Sequence, residues 1–428
     1  MENKFIKTQS TLLSLIPFLL IIGPFLADLI FTLISLSVSI YIFKKKKFEY
    51  FINKFFIFFL FFYIYLLLNS FFINFNLDSV KISFFYFRFG LFVICFWFLL
   101  NQDRKLLKKI FFVLLICFSL LIIDGYIQFY FEKNLFGFSI HESKRVSSFF
   151  NDELILGSFL SRLFPIFFGL AILIFNKNKK YLFLISIIFI LTEVLIFLSG
   201  ERSALFYMNF SAVYIIILIK KFKVLRLVTL ILSLILIIVL SQTYPKYKER
   251  IVDQTISQMG ITSKSIENKS IENKISEKFV FSKQHTHHYI SAIKMFEINP
   301  IFGVGVKNFR NLCSKDQYMI SELSCSTHPH NTYIQLLAET GIIGFLIILL
   351  CFIYFSFVSI KYLFSKNFRE DNLFDFQVCI TSAIMISLWP LVPTGNFFNN
   401  WLNIIYFYPL GIYLWSNQIL KKNKNISI

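Results

Sequence analysis

Residues 52–72 read INKFFIFFLFFYIYLLLNSFF, with an unbroken apolar run from Phe55 to Leu68. A stretch of about 20 such residues is the length that spans the hydrocarbon core of a bilayer as a helix. Eleven further stretches have the same character: roughly 10–22, 25–43, 82–101, 109–131, 155–175, 181–199, 203–219, 227–242, 342–364, 373–391 and 399–418. The first two share one apolar run that Gly23-Pro24 interrupts, so they read as two segments with an ill-defined boundary. The start of the chain lacks a cleavage-site pattern, and the first segment reads as retained. Composition agrees. Hydrophobic residues make up 57% of the 428 and charged residues 16%, against about 45–50% and about 25% in soluble domains. An ordinary soluble enzyme, a disordered chain and a collagen-like chain are excluded. The expected fold class is an all-α integral membrane protein of about twelve transmembrane helices, one polytopic domain over residues 1–428.

The charge of +19 comes from 43 Lys and Arg against 24 Asp and Glu. With the N-terminus placed in the cytoplasm, the inner segments hold 23 of these cations, from Lys4 and Lys7 through Lys44–Lys47 and Lys220–Lys223 to Lys421, Lys422 and Lys424. The short outer loops hold five: Lys81, Lys133, Lys144, Arg145 and Arg202. Cytoplasmic loops of membrane proteins collect Lys and Arg, so much of the positive charge is a topology signal and no nucleic-acid partner is expected. Both termini are expected on the cytoplasmic side.

Residues 243–329 form a long polar loop between the ninth and tenth segments, on the outer side. Within it Ser265-Ile266-Glu267-Asn268-Lys269 is repeated at 270–274. A period of five fits neither helix nor strand, and the repeat reads as a loose insertion. Cys95, Cys117, Cys351 and Cys379 lie in apolar segments, where a thiol behaves as a small apolar group. Cys313 and Cys325 lie in the outer loop, on the oxidising side if that side is periplasmic, and are expected to form a disulfide.

Charges inside apolar segments are costly and usually face a bundle interior or a wet cavity. Arg88, Asp124, Arg162, Glu193 and Arg202 all fall within roughly 10 Å of the outer ends of their helices at 1.5 Å per residue. A polar chamber opening outward would explain that. The plainer alternative is that Arg88–Asp124 and Arg162–Glu193 pair, or that the arginines snorkel. Pore-lining polar residues along the full depth, which a flippase or transporter needs, are missing from the inner half.

All six histidines, His141, His285, His287, His288, His328 and His330, fall on the outer side. They could bind a metal, although the spacing matches no well-specified zinc pattern. They could serve as packing or capping groups. The run Thr327-His328-Pro329-His330-Asn331 leads into an apolar helix, and Pro329 suits a first helical position. His330 would then lie in the first turn, where the helix dipole disfavours the imidazolium and leaves a neutral base. The run Pro300 to Arg310, with Gly303, Gly305 and Asn308, looks like a phosphate loop but has no preceding strand and no third glycine. A tight turn returning the loop to the membrane is the better reading.

Three blocks together resemble the O-antigen ligase and polymerase superfamily of bacterial envelopes: His330-Asn331 followed nine residues later by Gly341-Ile342-Ile343-Gly344; Asn299-Pro300 to Phe309; and Leu198 to Ser203. The resemblance implies a GT-C-like polytopic bundle with short helices in the large periplasmic loop. It implies an inner-membrane glycosyltransferase of lipopolysaccharide biosynthesis that needs no metal or other cofactor and works in one inverting step. The donor would be a glycan on undecaprenyl pyrophosphate. The acceptor would be lipid A–core in a ligase, or a second lipid-linked glycan in a polymerase. By position, His330 matches the family histidine and Arg202 the arginine at the donor pyrophosphate. Apart from the resemblance, a dianionic leaving group needs cations in a dry site, and Arg88 and Arg162 are the others available. The family's second loop arginine has no direct counterpart, since His285 to His288 occupy its place. Arg250, His288 and Arg310 are the candidates for an acceptor or second phosphate site.

Overall fold

A computed structural model describes residues 2–141, 145–175, 179–258, 282–364 and 371–426. The pentad repeat at 265–274 lies outside them, as do Lys144, Lys177, Lys366 and Arg369. The first five α-helices are α1 (Glu2–Ile22), α2 (Pro24–Lys44), α3 (Lys54–Phe72), α4 (Leu77–Phe85) and α5 (Phe87–Gln102). They are followed by α6 (Leu106–Phe131), α7 (Leu156–Phe175), α8 (Lys179–Ser199), α9 (Arg202–Leu218) and α10 (Lys223–Thr243). The large loop carries α11 (Pro245–Lys248), α12 (Gln254–Gln258), α13 (Lys283–Ile298) and α14 (Phe309–Leu312). The chain closes with α15 (Thr332–Phe364), α16 (Asn372–Leu388) and α17 (Asn400–Ile426).

Each of the twelve apolar stretches falls on helix. Among the described residues nine helices are long and apolar enough to cross a membrane, with α4 and α5 together counting as one of them. The expected dozen is therefore not reached on length and composition. Helices α9 and α16 have 17 residues each, which is about 26 Å of rise against a core of about 30 Å. Helix α17 runs on into Lys421 and Lys422. Gly23-Pro24 does separate two helices, with Pro24 at the first position of α2.

Phenylalanine supplies much of the packing. Phe167 of α7 stacks on Phe111 and Phe118 of α6, with ring centroids 5.3 and 5.1 Å apart. Helix α7 also packs on α8, α9 and α16, and its residues from Phe159 to Phe167 are all buried. In a bilayer such van der Waals fit, and not water exclusion, is what holds helices together.

The buried charges do not pair as the plainer sequence reading has it. Arg88 forms an ion pair with Asp28 of α2 at 3.0 Å, not with Asp124. Asp124 instead accepts from Leu135 N–H at 2.8 Å and Ser148 Oγ at 2.6 Å, tying down the loop after α6. Glu193 accepts from Ser233 Oγ at 2.5 Å, and Arg162 goes elsewhere.

The element that positions the loop is a break inside α15. Gly341 sits at φ 62°, ψ −165°, a conformation that is essentially glycine-only. The segment Asn299–Gly305 docks into this break. Ile342 N–H donates to Pro300 O at 2.9 Å, Val304 N–H to Ala338 O at 2.8 Å and Gly305 N–H to Glu339 O at 3.0 Å. A Cβ on Gly341 would fall on the Ile301 carbonyl, and one on Gly303 would lie 2.6 Å from the Ala338 oxygen. From the other side Asn69 Nδ2 donates to Phe302 O at 2.7 Å and Ser79 Oγ to Val306 O at 2.7 Å. The glycines of the apparent phosphate loop thus serve a backbone-to-backbone dock, and the tight-turn reading describes the segment well.

Gly341→Ala should destabilise the protein by about 2–3 kcal/mol, from strain at positive φ together with the backbone clash. A thermal midpoint in detergent equal to that of the wild type would show that the interlock is not needed.

Candidate active site

Where the ends of α1 and α8 meet the starts of α2, α7, α9 and α17, the bundle leaves one cavity of about 2030 Å³. Part of its wall is apolar, with Phe18, Ile21, Leu120, Phe136 and Phe138. The rest carries Arg145, Arg162, Glu201, Arg202, Arg250, Lys307, Arg310, His285, His328 and His330.

Three arginines gather around the turn between α8 and α9. Arg145 Nε donates to Ser199 O at 2.7 Å, Arg250 Nε to Gly200 O at 3.2 Å, and Arg202 Nη1 to Thr255 Oγ1 at 3.3 Å. Burial pulls Arg145 down to about 10; Glu201 opposes this, while Arg250 and Arg202 add to it. The turn leaves carbonyls free at the end of α8, and guanidiniums take them. Glu201 is the counter-charge. Its carboxylate accepts from Gly157 N–H at 2.7 Å and Ser158 N–H at 3.0 Å, the first turn of α7, where the helix dipole favours an anion. Burial nevertheless pushes Glu201 up to about 7, against the pull of Arg145. Arg162 lies one to two turns further down α7. Its guanidinium stacks over Tyr207 at 4.4 Å and Tyr406 at 5.2 Å, and its Nε donates to Ser158 Oγ at 3.3 Å.

The histidines form a second group. His330 has His328, His285 and His288 around it, with ring centroids at 4.1, 5.1 and 5.4 Å. His328 is fixed between Thr327 Oγ1 at 2.9 Å and the Thr394 carbonyl at 3.2 Å, so its Nε2 carries the proton. His330 Nε2 pairs with Ser326 Oγ at 3.0 Å. Burial pushes His330 down to about 3, with His328, His285 and His288 adding to it. His285 and His328 are held near 4, again mainly by burial. His285 also feels Arg202, and His328 feels Arg310.

Two sequence expectations need correction. His330 is not in the first turn of α15. Asn331 is the cap, accepting from Tyr333 N–H at 2.9 Å and Ile334 N–H at 3.1 Å, and His330 precedes it at φ 59°. The ring is neutral because it is dry and crowded by other imidazoles, so the helix dipole is not the cause. Arg88 does not reach the cavity wall, since Asp28 holds it among the helices. Arg162, Arg202, Arg250 and Arg310 all line the cavity, while His288 stands behind His330, buried. Cys313 and Cys325 are joined, Cα atoms 5.2 Å apart, just before the histidine segment. Sequence reasoning passed over Arg145, counted only as a loop charge, and Glu201. It also passed over Thr394, whose N–H donates to His330 O at 2.9 Å. A hint lay in the two prolines, the glycine and the three asparagines packed between Pro390 and Asn400.

Residues 185–349 match the family model described as O-antigen ligase. The resemblance drawn from the three sequence blocks is therefore a match to that family over this region, from within α8 to the middle of α15. The region contains Arg202, Arg250 and the four clustered histidines, while Arg145 and Arg162 fall outside it. Among curated proteins, one from Rickettsia conorii named "Putative polysaccharide ligase" is 30% identical over 128 residues, 27% of this chain and 31% of that protein. The chain thus aligns with about a third of that relative's length.

The imidazoles are neutral in the folded protein, whereas in the unfolded chain they titrate near 6.5. Between roughly pH 6.5 and 4 the unfolded chain binds more protons at these positions, so they subtract stability as pH falls. Glu201, raised from 4.5 to about 7, acts in the opposite sense over part of that window. The double variant His285→Asn/His328→Asn isolates the histidine share. Its thermal midpoint should fall less than that of the wild type between about pH 7 and pH 5. Parallel curves would show that the rings are not held neutral.

Proposed function

We propose that this chain is a membrane glycosyltransferase that moves a glycan from undecaprenyl pyrophosphate to an acceptor hydroxyl at the periplasmic face of the inner membrane. Ligation to lipid A–core is the first reading, in keeping with the family match and the relative's name. Repeat-unit polymerisation is the second. The observation that carries the proposal is one cavity holding a neutral imidazole, a cluster of guanidiniums and an apolar flank.

Each part answers a demand of the reaction. A lipid diphosphate has an anionic head and a greasy tail. The apolar flank of Phe18, Ile21, Phe136 and Phe138 would take the chain. Arg145, Arg202 and Arg250 would meet the phosphates, with Arg162 below them for the lipid-side phosphate. Guanidiniums offer paired donors to phosphate, and in a dry site their charge counts for more. The acceptor oxygen attacks the anomeric carbon, the bond from that carbon to the phosphate oxygen breaks, and the diphosphate leaves. The acceptor proton passes to His330. Displacement from the face opposite the leaving group inverts the anomeric centre.

A base held near 3 is weak at neutral pH. The substrate mends this, because a bound diphosphate favours the imidazolium and raises the ring's basicity. His330 would then become an effective base once the donor is in place. The bias of 23 inner to five outer cations supports cytoplasmic termini. In that orientation the cavity opens toward the periplasm.

His330→Ala should abolish transfer of glycan to acceptor in isolated membranes while the protein remains inserted; wild-type transfer would remove the mechanism. Arg202→Lys should lose at least about tenfold in kcat/KM, since an ammonium lacks the paired donors. Undiminished activity would reassign Arg202 to packing. Gene deletion separates the two readings: loss of a ligase leaves long lipid-linked polymer unattached, and loss of a polymerase leaves lipid A–core with at most one repeat.

A further inference from the structure

The docked segment Asn299–Gly305 continues into Lys307 and Arg310, and both side chains line the cavity. Arg310 Nη2 donates to the Thr327 carbonyl at 3.3 Å, and the Thr327 hydroxyl pairs with His328 at 2.9 Å. Arg310 is thus attached to the peptide that leads to His330. Cations from two separate segments therefore reach the histidine cluster. Arg202, at the turn after α8, is felt by His285, whereas Arg310, which also acts on Lys307, is felt by His328. His285 and His328 both flank His330. Lys307 feels Glu339 and Asp78 as opposing charges, but burial and Arg310 outweigh them. The Glu339 carboxylate accepts from Phe309 N–H at 3.1 Å and from Gln335 Nε2 at 2.9 Å, and among the described residues it closes no ion pair with Lys307 within 4.0 Å.

We propose that Lys307 and Arg310 form a second anion subsite, on the acceptor side of His330, that takes a phosphate group carried by the acceptor. This rests on the glycan-transfer reading given above. In an inverting displacement the leaving diphosphate and the attacking oxygen lie on opposite faces of the anomeric carbon. Cations that serve the leaving group belong on one side of the base, and cations beyond the base meet the acceptor. A guanidinium with an ammonium beside it suits a phosphate, the first offering paired donors and the second a point charge. The phosphate could sit on a phosphorylated sugar of a lipid-anchored core, or be the diphosphate of a second lipid-linked glycan. The platform is rigid, because the Gly303–Gly341 dock and the side chains of Asn69 and Ser79 fix the backbone that bears it.

Inorganic pyrophosphate titrated calorimetrically into the purified full chain tests the site without turnover. The wild type should bind at two sites; Lys307→Gln/Arg310→Gln should lose one of them, and Arg202→Ala the other. A double variant that keeps both, or a wild type with a single site that Arg202→Ala removes, overturns the proposal. In the transfer assay the double variant should raise the acceptor KM about tenfold and leave the donor KM unchanged. Phosphatase-treated acceptor should serve wild type and variant equally poorly. Running lipid A–core and lipid-linked glycan as separate acceptors identifies the source of the phosphate. Two pyrophosphate sites in a protein that transfers no glycan would count against the transfer reading and leave the anion subsite standing.

Discussion

The site depends on a backbone interlock at Gly341. A helix of 33 residues would normally present a closed wall, with every N–H and C=O spent on itself. The break exposes the Ala338 and Glu339 carbonyls and the Ile342 N–H, and the loop satisfies all three with its own backbone. Both partners must lack a Cβ for the chains to come this close. What would otherwise be a long surface loop becomes a fixed shelf. On it stand Lys307 and Arg310, and next to it the segment that carries His328 and His330.

The electrostatics of the cavity follow from crowding like groups in a dry place. Three arginines share one turn, and four imidazoles share another patch. Each guanidinium finds a carbonyl or hydroxyl, and Glu201 supplies negative charge while capping α7. The imidazoles relieve their repulsion differently, by staying uncharged. Among the described residues lining the cavity, cations outnumber Glu153 and Glu201. A dianionic ligand would lower the repulsion and shift the neighbouring imidazoles at once, so on the proposed function donor binding and the basicity of His330 are coupled.

The apolar architecture was legible because a spanning helix announces itself by composition alone, as in 52–72. The break in α15 was not, because Gly341 reads as the start of the apolar segment 342–364 and nothing local shows that helix continues before it. It takes a partner from the distant loop to make the break worthwhile. His330 was found by its motif, yet the cause of its neutrality was misread. Asn331 is a better cap than the pattern at Pro329 suggested, and two of the ring's neighbours, His285 and His288, come from folding the loop. Arg88 was misplaced because its partner, Asp28, sits at the ambiguous junction of the first two apolar segments. Arg145 looked like one loop charge among five. Only tertiary structure brings it beside Arg202 and Arg250.

The Cys313–Cys325 cross-link bears on maturation. It closes a short loop, a constraint worth about 3 kcal/mol in chain-entropy terms, directly ahead of Ser326 and the histidine pair. Thiols stay reduced in the cytosol. In the orientation proposed above, a newly made chain would carry this staple open, with the peptide of His328 and His330 loosely held, until the loop met oxidising conditions. Two sulfur atoms would thus time the completion of the cavity wall to the arrival of the loop on that side.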